Sequence, residues 1–381
     1  MASLTLAVGG FWGTIFEWAG GFIPGFALTV ILFTIVLKLI LSPLEIYQKI
    51  TTKKQSEMQA KLQPELNKLQ KRFANNKEML NQKTAELYKR ENFNIVGSCL
   101  GIVINLAITL IVFITLFTSL NQISQEKIKT EYSNLTQTYS VTFVSNAQEQ
   151  SNGVIVVDST DTISSVYEKI NSSGLTETEK EELITNLKNI SKLAASDKYT
   201  EIKESFLWIK NVYRPDTYAS VFPSANEYLN ISNTNFKNVS AENKFTDIYG
   251  IEYSTAETAQ TAFINEYNDI TGNINEVYNG WNGYLILVIL AAAITILSQL
   301  ITTKATKAKK QYDKRGNEIE IKQPSGKLLL FLLPALMIWF TLQYSAVFAL
   351  YIVINSLMSL IISLITGVVI NAKEKRKESL N

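Results

Sequence analysis

The chain has 381 residues, a formal net charge of +2, a single cysteine and no histidine. These counts exclude a Ser-His-Asp triad, a Cys-His pair, a histidine-ligated zinc site, an internal disulfide and a CxxC pair. The near-zero net charge gives no overall argument for nucleic-acid binding.

The N-terminal segment, 1–22, is rich in aromatic residues. It lacks the basic start of a signal peptide, and Glu17 interrupts its apolar run. Indole rings favour the membrane–water interface, so the segment is predicted to form an interfacial helix. A partly disordered leader is the alternative. The residues that support the helix are Phe11, Trp12, Ile15, Phe16 and Trp18.

Five apolar stretches are each long enough to cross a bilayer once as a helix, since a crossing takes about 20 mostly apolar residues. They are predicted at 23–44, 95–121, 281–303, 328–344 and 345–370. The last two come from one apolar run that is too long for a single span, so a tight turn is expected at Gln343–Ser345. A soluble protein would need all five as central core helices, which their length and apolarity argue against.

Charge is segregated between the segments that connect these spans. The net charge is +5 over 45–94, −10 over 121–280, +5 over 302–327 and +2 over 371–381. Short loops rich in Lys and Arg stay in the cytoplasm. The sequence therefore predicts a multi-pass membrane protein with its N-terminus outside, its C-terminus inside, a cytoplasmic basic loop at 304–327 and a basic cytoplasmic tail at 371–381.

The basic segment 45–94 is predicted to form a cytoplasmic helical hairpin. Apolar residues recur at helical spacing in both arms, Asn75 and Asn76 mark a turn, and Pro64 is expected to kink the first arm. Two interpretations stay open, namely a solvated hairpin that packs on itself and a docking arm for lipid headgroups, the ribosome or incoming chains. The candidate docking residues are Lys61, Lys68, Lys71, Arg72, Lys89 and Arg90.

The acidic segment 122–280 is predicted to be an extracytoplasmic α+β domain of structural or interaction role. Short strands are expected at 139–144 and 153–157, and helices at 175–195 and 255–278. Thr176 and Glu179 have the spacing of a capping box at the start of the first of these helices. The segment contains no Gly-rich phosphate loop and no carboxylates at metal-ligand spacing.

Lys38 is a charged residue inside the first predicted span, in IVLKLIL. A lysine at the centre of a span costs about 2.5–3.5 kcal/mol on insertion scales. Its side chain either reaches the cytoplasmic headgroups along its own stem or faces a hydrated groove between helices. Polar residues available to line such a groove are Asn105, Thr109, Gln299, Gln343 and Asn355.

Several of these stretches resemble the YidC/Oxa/Alb family of membrane protein insertases. The order of span, hairpin, span, outer segment and three spans is similar to that of the family's five-span core. The similar local motifs are KLILSPL (38–44), MQAKLQPELNKLQKRF (58–73), ELYKRENFNIVGSCL (86–100), FLWIKNVYRPD (206–216) and FALYIVIN (348–355).

The chain also departs from the family pattern. Lys38 stands where the family has an intramembrane arginine, Asn105 stands where it has glutamine, and 123–204 resembles an insertion into the outer loop. Family prolines near the second span are replaced by Ile95, Gly101 and Ala107. Near the final turn, family Pro, Gly and Trp positions hold Ser345, Val347 and Ile352. These departures identify a divergent member, and the resemblance implies the cytoplasmic membrane of a bacterium as its location.

The resemblance implies an all-α five-span insertase core with a cytoplasmic hairpin and an inserted outer segment. It implies a non-enzymatic protein without a cofactor that inserts membrane proteins and helps them to fold through a hydrophilic intramembrane groove. The expected partners are nascent membrane proteins and the bilayer, with the ribosome and the Sec translocon as further candidates and no specific nucleic acid. The rival hypothesis is a membrane scaffold or assembly factor that acts through its outer domain. A solute channel or transporter is disfavoured, because only one intramembrane lysine is present and the spans show no internal repeat.

Overall fold

The computed structural model describes residues 9–91, 95–278, 280–306 and 327–378, and these residues are mostly helical. Their helices are α1 (Gly10–Gly20), α2 (Phe26–Arg72), α3 (Lys77–Arg90), α4 (Ile95–Gln150), α5 (Ile163–Ser172), α6 (Glu177–Ile202), α7 (Ala225–Ser232), α8 (Ala256–Val277), α9 (Ile286–Thr306), α10 (Lys327–Gln343) and α11 (Ala346–Glu378). Two strands, β1 (Phe245–Thr246) and β2 (Glu252–Tyr253), lie between α7 and α8 and pair antiparallel.

The chain divides into two compact units. We call the unit that contains Leu120–Ile286 and Tyr344–Val347 the polar unit. We call the other the apolar unit; it is built from the described parts of Thr14–Ser119, Leu287–Gln343 and Phe348–Asn381. Helix α4 contributes residues to both units.

Four helical segments among the described residues are long and apolar enough to cross a membrane. They are Phe26–Arg72, Ala107–Gln150, Ile286–Lys304 and Ala346–Ile370. Together they make the chain a polytopic helical membrane protein. The predicted tight turn is also present, since α10 ends at Gln343 and α11 begins at Ala346.

The N-terminal aromatic segment contains a helix, α1. Phe16 is buried, and its ring centroid lies 5.6 Å from that of Phe26 and 4.8 Å from that of Phe33. Phe11 and Trp18 are exposed. Phe16 therefore anchors α1 to α2, while Phe11 and Trp18 stay accessible for contact with a membrane. The interfacial position of this helix stays a prediction.

Helix α2 and α3 form the hairpin that the sequence predicts. Helix α2 continues through both Pro43 and Pro64 to Arg72, so the first span and the first hairpin arm are one helix. The chain turns at residues 73–75, and Asn76 caps α3 by accepting a hydrogen bond from the Met79 amide at 3.0 Å. The two arms are in contact, and Leu62 of α2 and Leu87 of α3 are buried.

Two strands predicted in the acidic segment are wrong. Residues 139–144 lie within α4, and no strand is formed at 153–157. The buried residues of this part of α4 recur every three or four positions, which is the period of a helix. They are Ile128, Tyr132, Leu135, Tyr139, Phe143 and Ala147. The predicted α+β character of this segment reduces to one ribbon of two-residue strands.

The two helices predicted in this segment are confirmed. Helix α6 begins after Thr176, whose hydroxyl accepts from the Glu179 amide while the Glu179 carboxylate accepts from the Thr176 amide. Helix α8 begins after Thr255, whose hydroxyl accepts from the Thr258 amide. Local capping chemistry is enough to start both helices at the predicted residues.

Buried tyrosines make up much of the core of the polar unit. Tyr132 stacks on Tyr267 at 5.0 Å between ring centroids, and the hydroxyl of Tyr267 donates to the Pro223 carbonyl at 2.7 Å. The Tyr139 and Tyr249 hydroxyls lie 2.9 Å apart, and Tyr249 donates to Asp269 at 2.8 Å. A buried tyrosine adds a directional hydrogen bond to its large apolar area, so this core is held by both.

Candidate functional site

The Lys38 side chain forms an ion pair within its own helix. Its ammonium nitrogen lies 2.8 Å from Oε2 of Glu45, and both side chains are mostly buried. The two residues are seven positions apart, so they lie on one face of α2, two turns from each other. The Lys38 charge is therefore held in place on that face by a carboxylate.

Glu45 is shared by a second lysine. The ammonium of Lys49 lies 2.6 Å from Glu45 Oε1, one turn further along α2, and the side chain of Lys49 is also mostly buried. One carboxylate thus stands between two ammonium groups, and the three charges sum to +1. Excess positive charge in a poorly hydrated place attracts an anion more strongly than it would in bulk water.

Lys49 links α2 to α11. Its ammonium donates to Ser363 Oγ at 2.6 Å, and Ser363 itself donates to the Ser359 carbonyl of α11 at 2.6 Å. A hydroxyl has one proton to donate, so Ser363 acts as acceptor for its other neighbours. Thr302 of α9 lies 3.0 Å from the same oxygen and therefore donates to it.

A second hydroxyl pair repeats this contact two helical turns away. Thr295 Oγ1 and Ser356 Oγ lie 3.1 Å apart, seven positions before Thr302 and Ser363 respectively. The two pairs form a hydroxyl seam between α9 and α11, and its second pair meets Lys49. We call the seam and the Lys38–Glu45–Lys49 cluster together the polar track; it runs through the apolar unit.

The structure places the predicted groove residues on five helices. Lys38 is half-buried on α2, Gln299 is half-buried on α9, and Asn355 is half-buried on α11. Thr109 on α4 and Gln343 at the end of α10 are exposed. The backbone of Asn105 lies in α4, and its side chain lies outside the described part of the structure. The polar partner of Lys38 is Glu45, which was not among the predicted residues.

Sequence reasoning missed Glu45, Lys49 and the hydroxyl seam, although signals for them were present. Acidic and basic residues at spacings of seven and four on one helix face indicate a charge cluster. Thr295 with Thr302 and Ser356 with Ser363 share a seven-residue spacing. Several other hydroxyls of the apolar unit bond their own backbone, as that of Thr115 in α4 does with the Ile111 carbonyl at 2.8 Å.

The candidate docking residues of the hairpin are all exposed. Arg90 of α3 differs from the rest, because its guanidinium lies 2.6 Å from Glu65 of α2 and 3.0 Å from Glu91. These hydrogen bonds raise the pKa of Arg90 above its usual value. Arg90 thus braces the two arms, whereas the cations of α2 at Lys61, Lys68 and Lys71 lie on its outer surface.

No group of three or more Cys, Asp or Glu side chains is placed to hold a metal ion within the residues that the structure describes. The chemistry that the polar track offers is electrostatic. It combines an excess positive charge with a line of hydroxyls between helices that are otherwise apolar.

A family model described as the 60Kd inner membrane protein matches residues 18–374. The chain belongs to this family. The match covers most of the chain, and it confirms the resemblance to the YidC/Oxa/Alb insertases that the local motifs indicate.

Curated relatives in this family match part of the chain. A protein of Fusobacterium nucleatum subsp. nucleatum named membrane protein insertase YidC is 42% identical over 92 residues, which are 24% of this chain and 43% of that protein. Proteins of the same name from Leptospira interrogans and Clostridium perfringens are 41% and 38% identical, over 26% of this chain and over 14% and 40% of their own lengths. The matches therefore span less than half of these relatives. No solved structure matches the chain.

Proposed function

We propose that this family member is a membrane protein insertase and chaperone, which inserts membrane proteins and helps them to fold through a hydrophilic groove in a five-span core. Family membership and the relatives named as insertases support the reaction class. The polar track supports the groove, and it is the observation that carries the proposal, because polar residues are costly inside a membrane unless they serve a function.

Lys38 is the residue that we propose attracts substrate. An acidic side chain in a short segment that crosses the membrane would compete with Glu45 for the Lys38 ammonium. Because the cluster carries a charge of +1, it has capacity for one more carboxylate. The hydroxyls beyond Lys49 would offer hydrogen bonds to the polar groups of that segment and so lower the cost of removing them from water.

The energy of insertion would come from the substrate itself. Its apolar helix leaves water for lipid once its polar end has crossed, and the burial of apolar surface drives this step. Neither a covalent step nor a nucleotide is needed. The proposed orientation has the N-terminus outside and the basic loops in the cytoplasm, as the charge distribution favours.

The hairpin is proposed to dock partners on the cytoplasmic side. Its exposed cations suit the ribosome, whose surface is largely phosphate, or anionic lipid headgroups. The Sec translocon is a third candidate for this surface. The α2 cations Lys61, Lys68, Lys71 and Arg72 would carry this contact together with Lys89 of α3, while Arg90 holds the arms together.

Depletion and complementation in a bacterium that needs its own insertase test this function. We expect the wild-type chain to restore growth, Lys38→Ala to fail with substrates that have acidic outer tails, and Lys38→Arg to succeed, because arginine keeps the charge. Lys304→Ala, which removes an exposed cation at the end of α9, is the matched control and should rescue normally. Equal rescue by Lys38→Ala and the wild type would contradict the role of the groove charge.

A second function, a membrane scaffold or assembly factor, is favoured by one observation. The polar unit has its own hydrogen-bonded core, as a domain with its own binding partners would have. Under this hypothesis the wild-type chain accumulates in the membrane of the depleted strain and yet fails to restore insertion. That outcome would replace the insertase proposal with the scaffold.

A further inference from the structure

A tight turn in the polar unit presents a leucine to the surroundings in an unfavourable conformation. Phe206 and Ile209 exchange two backbone hydrogen bonds, at 3.0 and 2.9 Å, so Leu207 and Trp208 form a two-residue turn. Leu207 has a φ of 53° and is 75% exposed. A non-glycine residue in the left-handed region costs about 1 kcal/mol, and an exposed leucine in water gains nothing in return.

The turn is braced against the segment that leads into α9. Asp216 Oδ1 accepts from the Trp208 indole at 3.2 Å and from the Tyr284 amide at 2.9 Å. The buried side chain of Asn282 accepts from the Asn211 amide at 2.7 Å. Groups tied by several buried or partly buried hydrogen bonds hold one geometry, so the turn and residues 281–284 behave as one rigid piece.

Three apolar or aromatic side chains project from this piece, and a fourth, that of Tyr218, projects from the neighbouring segment, where the Asn282 amide donates to the Ala219 carbonyl at 2.8 Å. Leu207, Tyr218, Trp281 and Tyr284 are 75%, 54%, 51% and 47% exposed. Tyr218 and Trp281 are in edge-to-face contact with ring centroids 4.9 Å apart. We call these four residues the aromatic patch. Two tyrosines, a tryptophan and a leucine held rigidly at the surface form an exposed apolar patch, and its contact with water is unfavourable.

The chain itself indicates what covers the patch. Tyr284 lies two residues before α9, a helix that is long and apolar enough to cross a membrane. The residue that precedes a span lies at the membrane surface. Tryptophan and tyrosine are the side chains that favour this zone, since their rings are apolar and their N–H and O–H groups still reach water.

We propose that the aromatic patch inserts into the headgroup region of the leaflet in which α9 begins, with Leu207 reaching the acyl chains. The patch would fix the depth of the polar unit at the bilayer surface. The lipid contact compensates for the strained backbone at Leu207. This role does not depend on whether the chain acts as an insertase.

Spin labels on the full-length chain in phosphatidylethanolamine/phosphatidylglycerol vesicles test the proposal. In a Cys99→Ser background, the labels are placed by Leu207→Cys and Trp281→Cys. Ile289→Cys, at an exposed position of α9, is the lipid reference, and Val156→Cys, at an exposed position of the polar unit, is the water reference. Collision rates with oxygen, which concentrates in lipid, and with a water-soluble nickel chelate are then measured.

We expect the labels at 207 and 281 to resemble the label at 289, with oxygen collisions severalfold more frequent relative to nickel than at 156. Labels that collide with nickel as often as the label at 156 would show a patch in water and overturn the proposal. Labels shielded from both reagents would show that a protein partner or a second copy covers the patch, which would also overturn it.

A second measurement uses a conservative substitution that leaves the aromatic patch almost unchanged. Quenching by brominated lipids is compared between the wild type and Trp281→Phe, and the difference reports the native tryptophan. We expect Trp281 to account for a clear share of the quenched fluorescence. No difference between the two chains would count against lipid contact.

Discussion

The ammonium of Lys38 lies 2.8 Å from the carboxylate of Glu45, which also holds Lys49 at 2.6 Å. Removing Lys38 leaves the Glu45–Lys49 pair intact. Removing the charge of Glu45 leaves two neighbouring ammonium groups without a counter-ion. The carboxylate is therefore more important to the stability of the apolar unit than the lysine on which the proposed function depends.

We predict that Glu45→Gln lowers the free energy of unfolding by about 3 kcal/mol, as expected when one member of a buried ion pair is removed. Lys38→Ala should lower the free energy of unfolding by clearly less. The measurement is the midpoint of thermal unfolding in detergent, and the double variant Lys38→Ala/Glu45→Gln is the control. It should recover part of the loss, because one of the two unpaired cations is then gone. Equal losses for the two single variants would contradict the shared-carboxylate arrangement.

Ser363 is predicted to contribute more to the stability of the apolar unit than Ser356, although both lie on the seam between α9 and α11. Ser363→Ala removes the acceptor of two hydrogen bonds, from Lys49 and Thr302, whereas Ser356→Ala removes one contact with Thr295. Hydrogen bonds between helices in membranes contribute about 0.6 kcal/mol each. Thermal unfolding should therefore rank the wild type first, Ser356→Ala second and Ser363→Ala third; the reverse order of the two variants would exclude a linked track.

The exposed cations of the hairpin are predicted to contribute to ribosome binding. Lys68→Glu/Lys71→Glu/Arg72→Glu should weaken co-sedimentation with ribosomes, and the remaining binding should depend less on salt because fewer counterions are released. The matched control is Lys83→Glu/Glu86→Lys, which exchanges the members of an exposed pair at 2.8 Å and keeps the net charge. If the triple variant still binds ribosomes as the wild type does, the hairpin is not their docking site. A parallel sedimentation with anionic vesicles reports lipid binding.

Glu266 of α8 is predicted to make the stability of the polar unit depend on pH. Burial raises its pKa to about 7, although the Ile248 amide donates to it at 3.1 Å. Between about pH 4.5 and 7 the unfolded chain therefore loses this proton while the folded chain keeps it. The folded state binds more protons there, so the free energy of unfolding from this group falls as the pH rises and levels off above about 7.

Replacing Glu266 with a neutral isostere should remove that dependence. We expect the thermal midpoint of the polar unit, followed by the near-ultraviolet circular dichroism of its tyrosines, to fall less between pH 5 and pH 8 in Glu266→Gln than in the wild type. Glu182→Gln changes an exposed carboxylate of α6 and should leave the slope unaltered. An unchanged slope in Glu266→Gln would show that another group is responsible.

Gly283 is predicted to tolerate no side chain. A Cβ at this position would lie 1.9 Å from Asp216 Oδ1 and 2.9 Å from Asp216 Cα, so the backbone itself would have to move. Gly283→Ala should disrupt the brace between residues 206–219 and the start of α9, and lower the thermal midpoint and the yield. Gly174→Ala, where a Cβ meets nothing within 4 Å, is the control. Normal yield and midpoint for Gly283→Ala would refute this packing.

Features that depend on neighbouring residues were predictable from the sequence. The caps of α6 and α8 depend on side chains within one turn, and the apolar runs define the spans by their length. The strand predicted at 139–144 failed because Tyr139, Val141 and Phe143 alternate as in a strand, while Leu135, Tyr139, Phe143 and Ala147 recur as in a helix. The longer period decides, since it continues through buried positions that begin at Ile128.

The candidate site was predicted only in part. Lys38 was conspicuous because a charge inside an apolar run is rare, but its partner lies just beyond that run, where charged residues are ordinary. The contact between Lys49 and Ser363 joins residues 314 positions apart. A pairing of this kind depends on how helices pack, and a single sequence on its own contains little information about helix packing.

The tyrosine core of the polar unit has a consequence for where this unit can mature. Its residues are held together by ring stacking and hydroxyl groups, and the stretch that forms it contains no cysteine at all. The polar unit therefore contains no disulfide that a reductant could break, and its folding requires no disulfide formation. The polar unit can therefore mature in an oxidising or a reducing compartment alike.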